Sequence, residues 1–424
     1  MNRSTGTPNI LSHRKRRQSQ DLHKIPRSAA LSLLYKAAEA AAPPNRPPES
    51  MFAPSALLGW IRSYLAYAFK RKHDFPPYTQ SPVNALYDLL DESGLDKVRI
   101  AVAGDWATGT DEAESVAEQM KAFKPHFTIH LGDVYYVGDP PEVSENCLGV
   151  KNPNNNYDPI VWPIGSVGSF ALNGNHEMYA NGGGYFDLLL PNLGLQSATL
   201  GVMAGQQTSF FCLQNRYWRT VGIDTGYNST GLPILSGIPL VNKIPGVGPT
   251  CALPDSLMEW LTNIVVPNQD ARGLVMLSHH QYFSGFEDGY TKPARQLWDA
   301  GVQRNVLWFW GHEHRLAGYD LYGSEDLKAF GRCIGHGGMP LELGDPDPDR
   351  EPAPTFYDNR PGDKGFGVNG HVNLNFDGPN LQAEYVDLKG QPLIQENWSV
   401  DSNGNIMLMS RQKLINDAGF HSNF

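Results

Sequence analysis

After residue 97 short apolar runs alternate with amphipathic stretches, the pattern of an α/β chain. Residues 98–104, 127–132 and 169–173 read as strands, and residues 111–123 as an amphipathic helix. Residues 208–213 and 218–223 read as paired strands. Residues 254–266 form a predicted helix with Pro254 near its first turn, followed by a strand at 274–278, a helix at 293–302 and a strand at 306–310. Shorter alternating segments at 331–335, 372–376 and 381–388 make the end of the chain richer in β-structure, without internal repeats. Asn-, Gly- and Pro-rich stretches at 151–158 and 227–254 read as long surface loops, where specificity elements commonly sit.

Before residue 97 the pattern differs. Leu57, Leu58, Trp60, Ile61, Tyr64, Leu65 and Ala68 give residues 55–69 a broad apolar helical face, and Lys70-Arg71-Lys72 come next, where cations favour a helix C-terminus. Such a helix either packs on the main domain or lies on an anionic membrane surface, and the pattern alone does not separate the two. Residues 1–28 are polar and basic, and Pro43, Pro44, Pro47 and Pro48 make a stiff linker. The apolar run at 29–35 is minimal for a signal peptide, and Lys36 and Glu39 break its continuation, so cytoplasmic or peripheral-membrane placement is favoured over secretion. The expected organisation is a basic arm with its Pro-rich linker over 1–50, an N-terminal helical extension over 51–95, a catalytic domain over 96–390 and a C-terminal extension over 391–424.

Composition narrows the class. The 424 residues are 41% hydrophobic, 18% charged and 11% aromatic, which excludes a collagen-like, coiled-coil or wholly disordered chain. Residues 1–73 carry 13 Lys/Arg against 3 Asp/Glu, leaving 21 against 41 for the rest, so a basic arm precedes an acidic body. An acidic body does not suit a nucleic-acid scaffold, whereas clustered carboxylates suit a metal-binding enzyme. Cys147, Cys212, Cys251 and Cys333 show neither CxxC nor zinc-ribbon spacing. Nothing resembles a P-loop or a GxSxG elbow.

The residues with chemistry to offer stand directly after the apolar strands. Asp105 comes after the first, Asp133 after the second, and Asn175 and His176 after the third; His279 and His280 stand behind a later one, and His312 and His314 behind the next. Carboxyl ends of strands in an open α/β sheet face one crevice, so five strand ends would deliver two aspartates, an asparagine and several histidines to one place. Mixed carboxylate, imidazole and amide donors suit Fe, Mn or Zn rather than Ca, and more than four of them suggest two ions bridged by an aspartate. His126 and His130, which flank the second strand, read as structural.

The segments Gly104-Asp105, Gly132-Asp133, Gly174-Asn175-His176-Glu177, Ser278-His279 and Gly311-His312-Glu313-His314 occur in the order of the calcineurin-like metallophosphoesterases, and the resemblance covers roughly residues 97–340. It implies a four-layer αββα sandwich, at the α/β and α+β boundary, of two mixed sheets flanked by helices. One departure points to a subfamily. Most such enzymes open with Asp-x-His, whereas Asp105-Trp106-Ala107 has no imidazole to offer. Tyr136, three residues after Asp133, gives a GDxxY pattern that resembles the purple acid phosphatases, and Gly104-Asp105-Trp106 is similar to their small, tartrate-resistant members. The resemblance then implies Fe(III) held by Asp105, Asp133, Tyr136 and His314, with Asp133 bridging to a divalent Fe, Zn or Mn held also by Asn175, His279 and His312. His176 would act as general acid or transition-state donor. Glu177 would either orient His176 or cap a helix; His280 is either substrate-facing or packed; His336, in Gly335-His336-Gly337-Gly338, is a candidate substrate contact.

The implied reaction is hydrolysis of a small phosphate monoester with a metal-bound hydroxide as nucleophile. A phosphodiesterase acting on nucleotides or lipid head groups, prompted by the 227–254 loop and the basic arm, is one alternative. A non-catalytic scaffold is another. An anionic membrane is a candidate partner for residues 1–72, and the pattern leaves oligomeric state open.

Overall fold

The computed structural model describes residues 67, 70–135, 137–151, 159–196, 203–230, 250–362 and 365–424. In chain order its strands are β1 (Leu86–Asp88), β2 (Lys97–Ala103), β3 (Phe127–His130), β4 (Gly168–Ala171), β5 (Gly194–Leu195), β6 (Phe211–Gln214), β7 (Trp218–Gly222), β8 (Gly273–Ser278) and β9 (Val306–Trp310). They continue as β10 (Leu316–Tyr322), β11 (Ala329–Ile334), β12 (Phe356–Asp358), β13 (Gly370–Asp377), β14 (Asn380–Asp387), β15 (Pro392–Val400), β16 (Ile406–Lys413) and β17 (Phe420–Ser422). Two mixed sheets result, one ordered β1-β6-β7-β8-β9-β11-β10-β12-β17 and the other β16-β15-β14-β13-β2-β3-β4-β5. At their centres β2, β3 and β4 run parallel, as do β7, β8, β9 and β11.

Side-chain alternation decides how the layers stack. In β2, Val98, Ile100 and Val102 join a core containing Val275 and Leu277 of β8 and Leu307 and Phe309 of β9, so one face of each sheet is turned toward the other. Ala101 and Ala103 point the opposite way, into a second cluster with Ala113, Val116, Ala117 and Met120 of helix α1 (Asp111–Ala122). Thr110 caps α1 by accepting from the Ala113 N–H at 3.2 Å, and acidic residues occupy its first turn. Helix α2 (Pro140–Asn146) is started by Asp139, whose carboxylate accepts from the Glu142 N–H at 3.1 Å. The one-turn α3 (Asn175–Met178) follows β4. Helices α4 (Asp255–Trp260) and α5 (Thr291–Asp299) add Leu257, Trp260, Ala294 and Leu297 to the larger core. Every residue of β8 and of β9 is buried, the mark of strands covered on both faces. The architecture is the sandwich of two mixed sheets with flanking helices.

Several boundaries differ from the sequence reading. The helix expected over 254–266 is α-helical to Trp260, widens over Leu261–Val265 and stops at Val266, which takes a left-handed conformation (φ 47°) before Pro267, a residue that disfavours continuing the helix through its neighbour. Residues 391–424, expected as an extension, supply β15 and β16 to one sheet and β17 to the other, because the alternation in β15 buries Leu393, Ile394, Glu396, Trp398 and Val400. Within the stretch read as a helical extension over 51–95, β1 pairs in parallel with β6. The basic arm, the Pro-rich linker, most of the predicted 55–69 helix and most of both long loops lie outside the described residues. Among the described residues no helix is long and apolar enough to cross a membrane, and all four cysteines are free and buried.

Candidate metal centre

The loops after β2, β3, β4, β8 and β9 meet at one seam between the sheets. Asp105, Asp133 and His312 stand in left-handed conformations (φ 57°, 70° and 69°), which turn each chain sharply as it leaves its strand. The glycines preceding the functional residues permit the close approach. A Cβ on Gly311 would lie 2.5 Å from Asp105 Oδ2, one on Gly104 3.0 Å from Gly311 Cα, and one on Gly174 2.1 Å from Asp133 Oδ1.

Two groups of donors share Asp133. In the first, His279 Nε2 lies 3.1 Å from Asn175 Oδ1, 3.2 Å from His312 Nδ1 and 3.2 Å from Asp133 Oδ2. In the second, the Tyr135 hydroxyl lies 2.7 Å from Asp105 Oδ1, 2.9 Å from His314 Nε2 and 3.3 Å from Asp133 Oδ2. His314 Nε2 is 3.5 Å from Asp105 Oδ1. Donors held at about 2 Å by a common cation are spaced roughly 3 Å apart, so both groups fit a metal ion. Independently of the asparagine and tyrosine, ligand atoms of Asp105, Asp133 and His279 lie within 4.8 Å of one another, as do those of His279, His280 and His312. All of these residues are buried.

Electrostatics follow from burial and mutual proximity. Burial alone would push Asp133 up, but the facing His279 and His176 hold its carboxyl well below the ordinary range. Burial alone would push His279 down, yet Asp133, then Asp105 and Glu177, carry it up to about 9. A cation would take the place of that imidazole proton.

His176 donates its backbone N–H to Asp133 Oδ1 at 3.0 Å, and its Nε2 lies 3.7 Å from Asp133 Oδ2. Its ring packs between those of Tyr135 and Tyr179, at centroid distances of 4.5 and 4.9 Å. Glu177 accepts from the backbone N–H groups of Gly174 (3.0 Å), Val134 (3.0 Å) and Asp133 (3.2 Å). It thus ties the turn after β3 to the start of α3, and burial with the Asp133 charge pushes it up to about 8. His280 packs its ring 4.3 Å from that of His312 and 5.0 Å from that of Tyr290, with Nδ1 3.1 Å from Thr225 Oγ1. His336 is not brought into either donor group. It is fully buried, its ring nitrogens have no hydrogen-bond partner among the described residues, and Nε2 would lie 3.0 Å from a Cβ on Gly370. Its segment instead buttresses the Asp105 turn, with Gly337 N–H donating to Gly104 O and Met339 N–H to Asp105 O, both at 3.0 Å. His130, read as structural, accepts from the Gly132 N–H at 3.2 Å and packs its ring edge-on to Trp162.

Tyr136 lies outside the described residues. Tyr135, which the GDxxY spacing passes over, is the tyrosine whose hydroxyl the structure places among Asp105, Asp133 and His314. The only signal for it in the sequence is the Tyr-Tyr pair itself; which ring turns inward depends on the turn after Asp133. Thr225 and Tyr290 are likewise unmarked in the sequence, because no motif carries them.

The family model for the calcineurin-like phosphoesterases matches residues 98–316. No curated protein is significantly similar to the chain in sequence. Among solved structures, GAP50, the anchor in the inner membrane complex of Plasmodium, aligns with a TM-score of 0.43 and 14% identity over 75% of this chain and 88% of that one. PhoD aligns with a TM-score of 0.46 and 13% identity over 76% and 73%. A dimetal phosphatase from Danio rerio aligns with a TM-score of 0.40 and 10% identity over 72% and 100%.

Proposed function

Since the chain belongs to the calcineurin-like phosphoesterase family, whose members use a dinuclear metal site, we propose that it hydrolyses phosphate monoesters at a purple-acid-phosphatase-type centre. The observation that carries this reading is the position of the Asp133 carboxylate between an Asn175–His279–His312 group and an Asp105–Tyr135–His314 group. Two bound cations would supply an activated water and neutralise charge on the phosphoryl oxygens. Asp133 is shared by the two positions, with Glu177 fixing the backbone on both sides of the shared carboxylate. His176, beside Asp133 and braced by Tyr135 and Tyr179, is the donor to the leaving oxygen. A tyrosine phenolate is a strong, hard donor and selects Fe(III) at the Asp105–His314 position, leaving a divalent Fe, Zn or Mn for the other. The described geometry favours Tyr135 as that phenolate.

The test is the visible spectrum of iron-loaded protein. A phenolate-to-iron absorption should be present, should vanish in Tyr135→Phe and should persist in Tyr136→Phe. The reverse pattern would return the role to Tyr136, and no such absorption in the unaltered protein would overturn the ferric assignment. Kinetics on a matched monoester and diester run beside it, with turnover confined to the diester counting against the monoesterase reading.

A further inference from the structure

The metal centre sits at the carboxyl ends of β7 and β8; at their amino ends lies an open cleft of about 600 Å³. Arg216, Tyr217, Asp270, Arg272, Asp401 and Ser402 line it. Three guanidinium groups converge on Asp270 at its base. Arg272 Nη2 lies 2.5 Å and Arg219 Nε 3.0 Å from Oδ2, and Arg304 Nη2 lies 3.9 Å from Oδ1. The Arg219 and Asp270 side chains are 8% exposed, Arg304 13% and Arg272 25%, so the charges are largely out of water.

One carboxylate cannot balance three cations. Much of the remaining donor capacity goes to neutral carbonyls, Arg272 Nη1 to Asn215 O at 3.1 Å and Arg304 Nη2 to Arg272 O at 2.9 Å. Arg304 Nε is buried with no hydrogen-bond partner among the described residues. Burial pushes Arg219 and Arg304 below the ordinary arginine range, with neighbouring guanidiniums adding to the effect. Asp401 also lines the cleft, but its carboxylate closes its own turn, accepting from the N–H groups of Asn403 at 2.8 Å and Asn405 at 2.9 Å. Arg216, exposed at the rim, adds a further cation. The four arginines therefore exceed the two aspartates by two charges, on a body that is otherwise acidic. Half-buried positive charge in excess of the one carboxylate that faces it is destabilising, and an oxyanion seated against it reduces that penalty.

We propose that this cleft is a binding site for a small phosphate-type oxyanion, separate from the metal centre. The exposed Arg216 is its main direct donor, because a planar fork suits a tetrahedral oxyanion; Arg272, whose Nε and Nη2 already chelate Asp270, offers only its outer Nη1–Nη2 edge, and Arg219 and Arg304 supply the field behind them. The inference does not depend on the metal centre being catalytic.

The experiment is equilibrium dialysis of the full-length, metal-loaded protein against radiolabelled inorganic phosphate. A class of phosphate binding that survives removal of the metals by a chelator is expected. Arg272→Gln and Arg216→Gln should each weaken that class about tenfold, and Asp401→Asn should strengthen it. Hydrolysis of a generic monoester should be unchanged in all three. Arg216 is exposed, so its variant folds and keeps the test decisive even where Arg272→Gln does not. Competition by glycerol 3-phosphate would show that esterified phosphate is accepted, and its failure would confine the site to free phosphate. Loss of all phosphate binding on chelation, or arginine variants that bind like the unaltered protein, would overturn the proposal.

Discussion

His371, in β13, is fully buried; its Nε2 lies 3.1 Å from Asn373 Oδ1, and its Nδ1 has no hydrogen-bond partner among the described residues. Burial pushes this imidazole down to about 4, and His336 beside it down to about 3. The sign of the effect is fixed. Both rings stay neutral in the fold while the unfolded chain takes up protons below about pH 6.5, so stability is fully present above that value and lost as pH falls toward 4. The melting temperature should fall across that window, and His371→Gln should flatten the fall. The full contribution of His371 is on the order of 3 kcal/mol, and a melting profile with the same slope in the variant would count against it. Single residues are legible in the sequence to different degrees. Asp105, Asp133, Asn175, His279, His312 and His314 stand at strand ends, where sequence order translates directly into place. Tyr135 and His336 depend on how a turn rotates, and no hydrophobic period reports that.

The strand-end turns are built on glycine because neighbouring loops occupy the space a side chain would need. Gly174→Ala would put a methyl 2.1 Å from Asp133 Oδ1 and 2.7 Å from its backbone nitrogen. Asp133 must then move, and in the proposed role of a carboxylate shared by two ions a displacement near 1 Å would cost about 100-fold in rate. The phosphoester hydrolysis expected of the family should fall by that order with circular dichroism unchanged, and a fully active variant would show that the turn relaxes freely. At this scale the apolar run of β9 gives its observed bounds, and those of β2, β3 and β8 nearly so. Of the strands missed, β1, β5, β12 and β17 are only two or three residues long, too short for a period to show, whereas the longer β10, β15 and β16 mix polar with apolar positions. In β10 and β16 the cause is partial exposure. In β15 it is that a buried position is occupied by Glu396, whose partner lies elsewhere in the chain.

That partner links the whole molecule. Glu396 on β15 receives both arms of Arg332 on β11 in the other sheet, at 2.7 and 2.8 Å, and both side chains are fully buried. Arg411 Nε adds a contact at 2.7 Å and the Tyr385 hydroxyl one at 3.0 Å. Glu396→Ala leaves Arg332 charged and enclosed, at a cost of about 3–5 kcal/mol, whereas pairing Arg332→Met with Glu396→Leu should recover only the part owed to Arg332, since Arg411 and Tyr385 still lose their carboxylate. Calorimetric melting would check both, and equal loss in the single and double variants would refute the pairing as its cause. The sandwich itself is visible in the order of the motifs, but the part played by residues 391–424 is not, since strand partners are a property of the assembled sheets.

The seam that gathers the donors has a mechanical meaning as well. Asp105, Asp133 and Asn175 belong to one sheet, while His279, His312 and His314 belong to the other. An ion lodged among them is a rivet through two plates, so its grip and the cohesion of the plates are one equilibrium viewed from two sides. Stripping such an ion away should loosen the two plates and lower the melting temperature, while the apolar core between them keeps the fold standing.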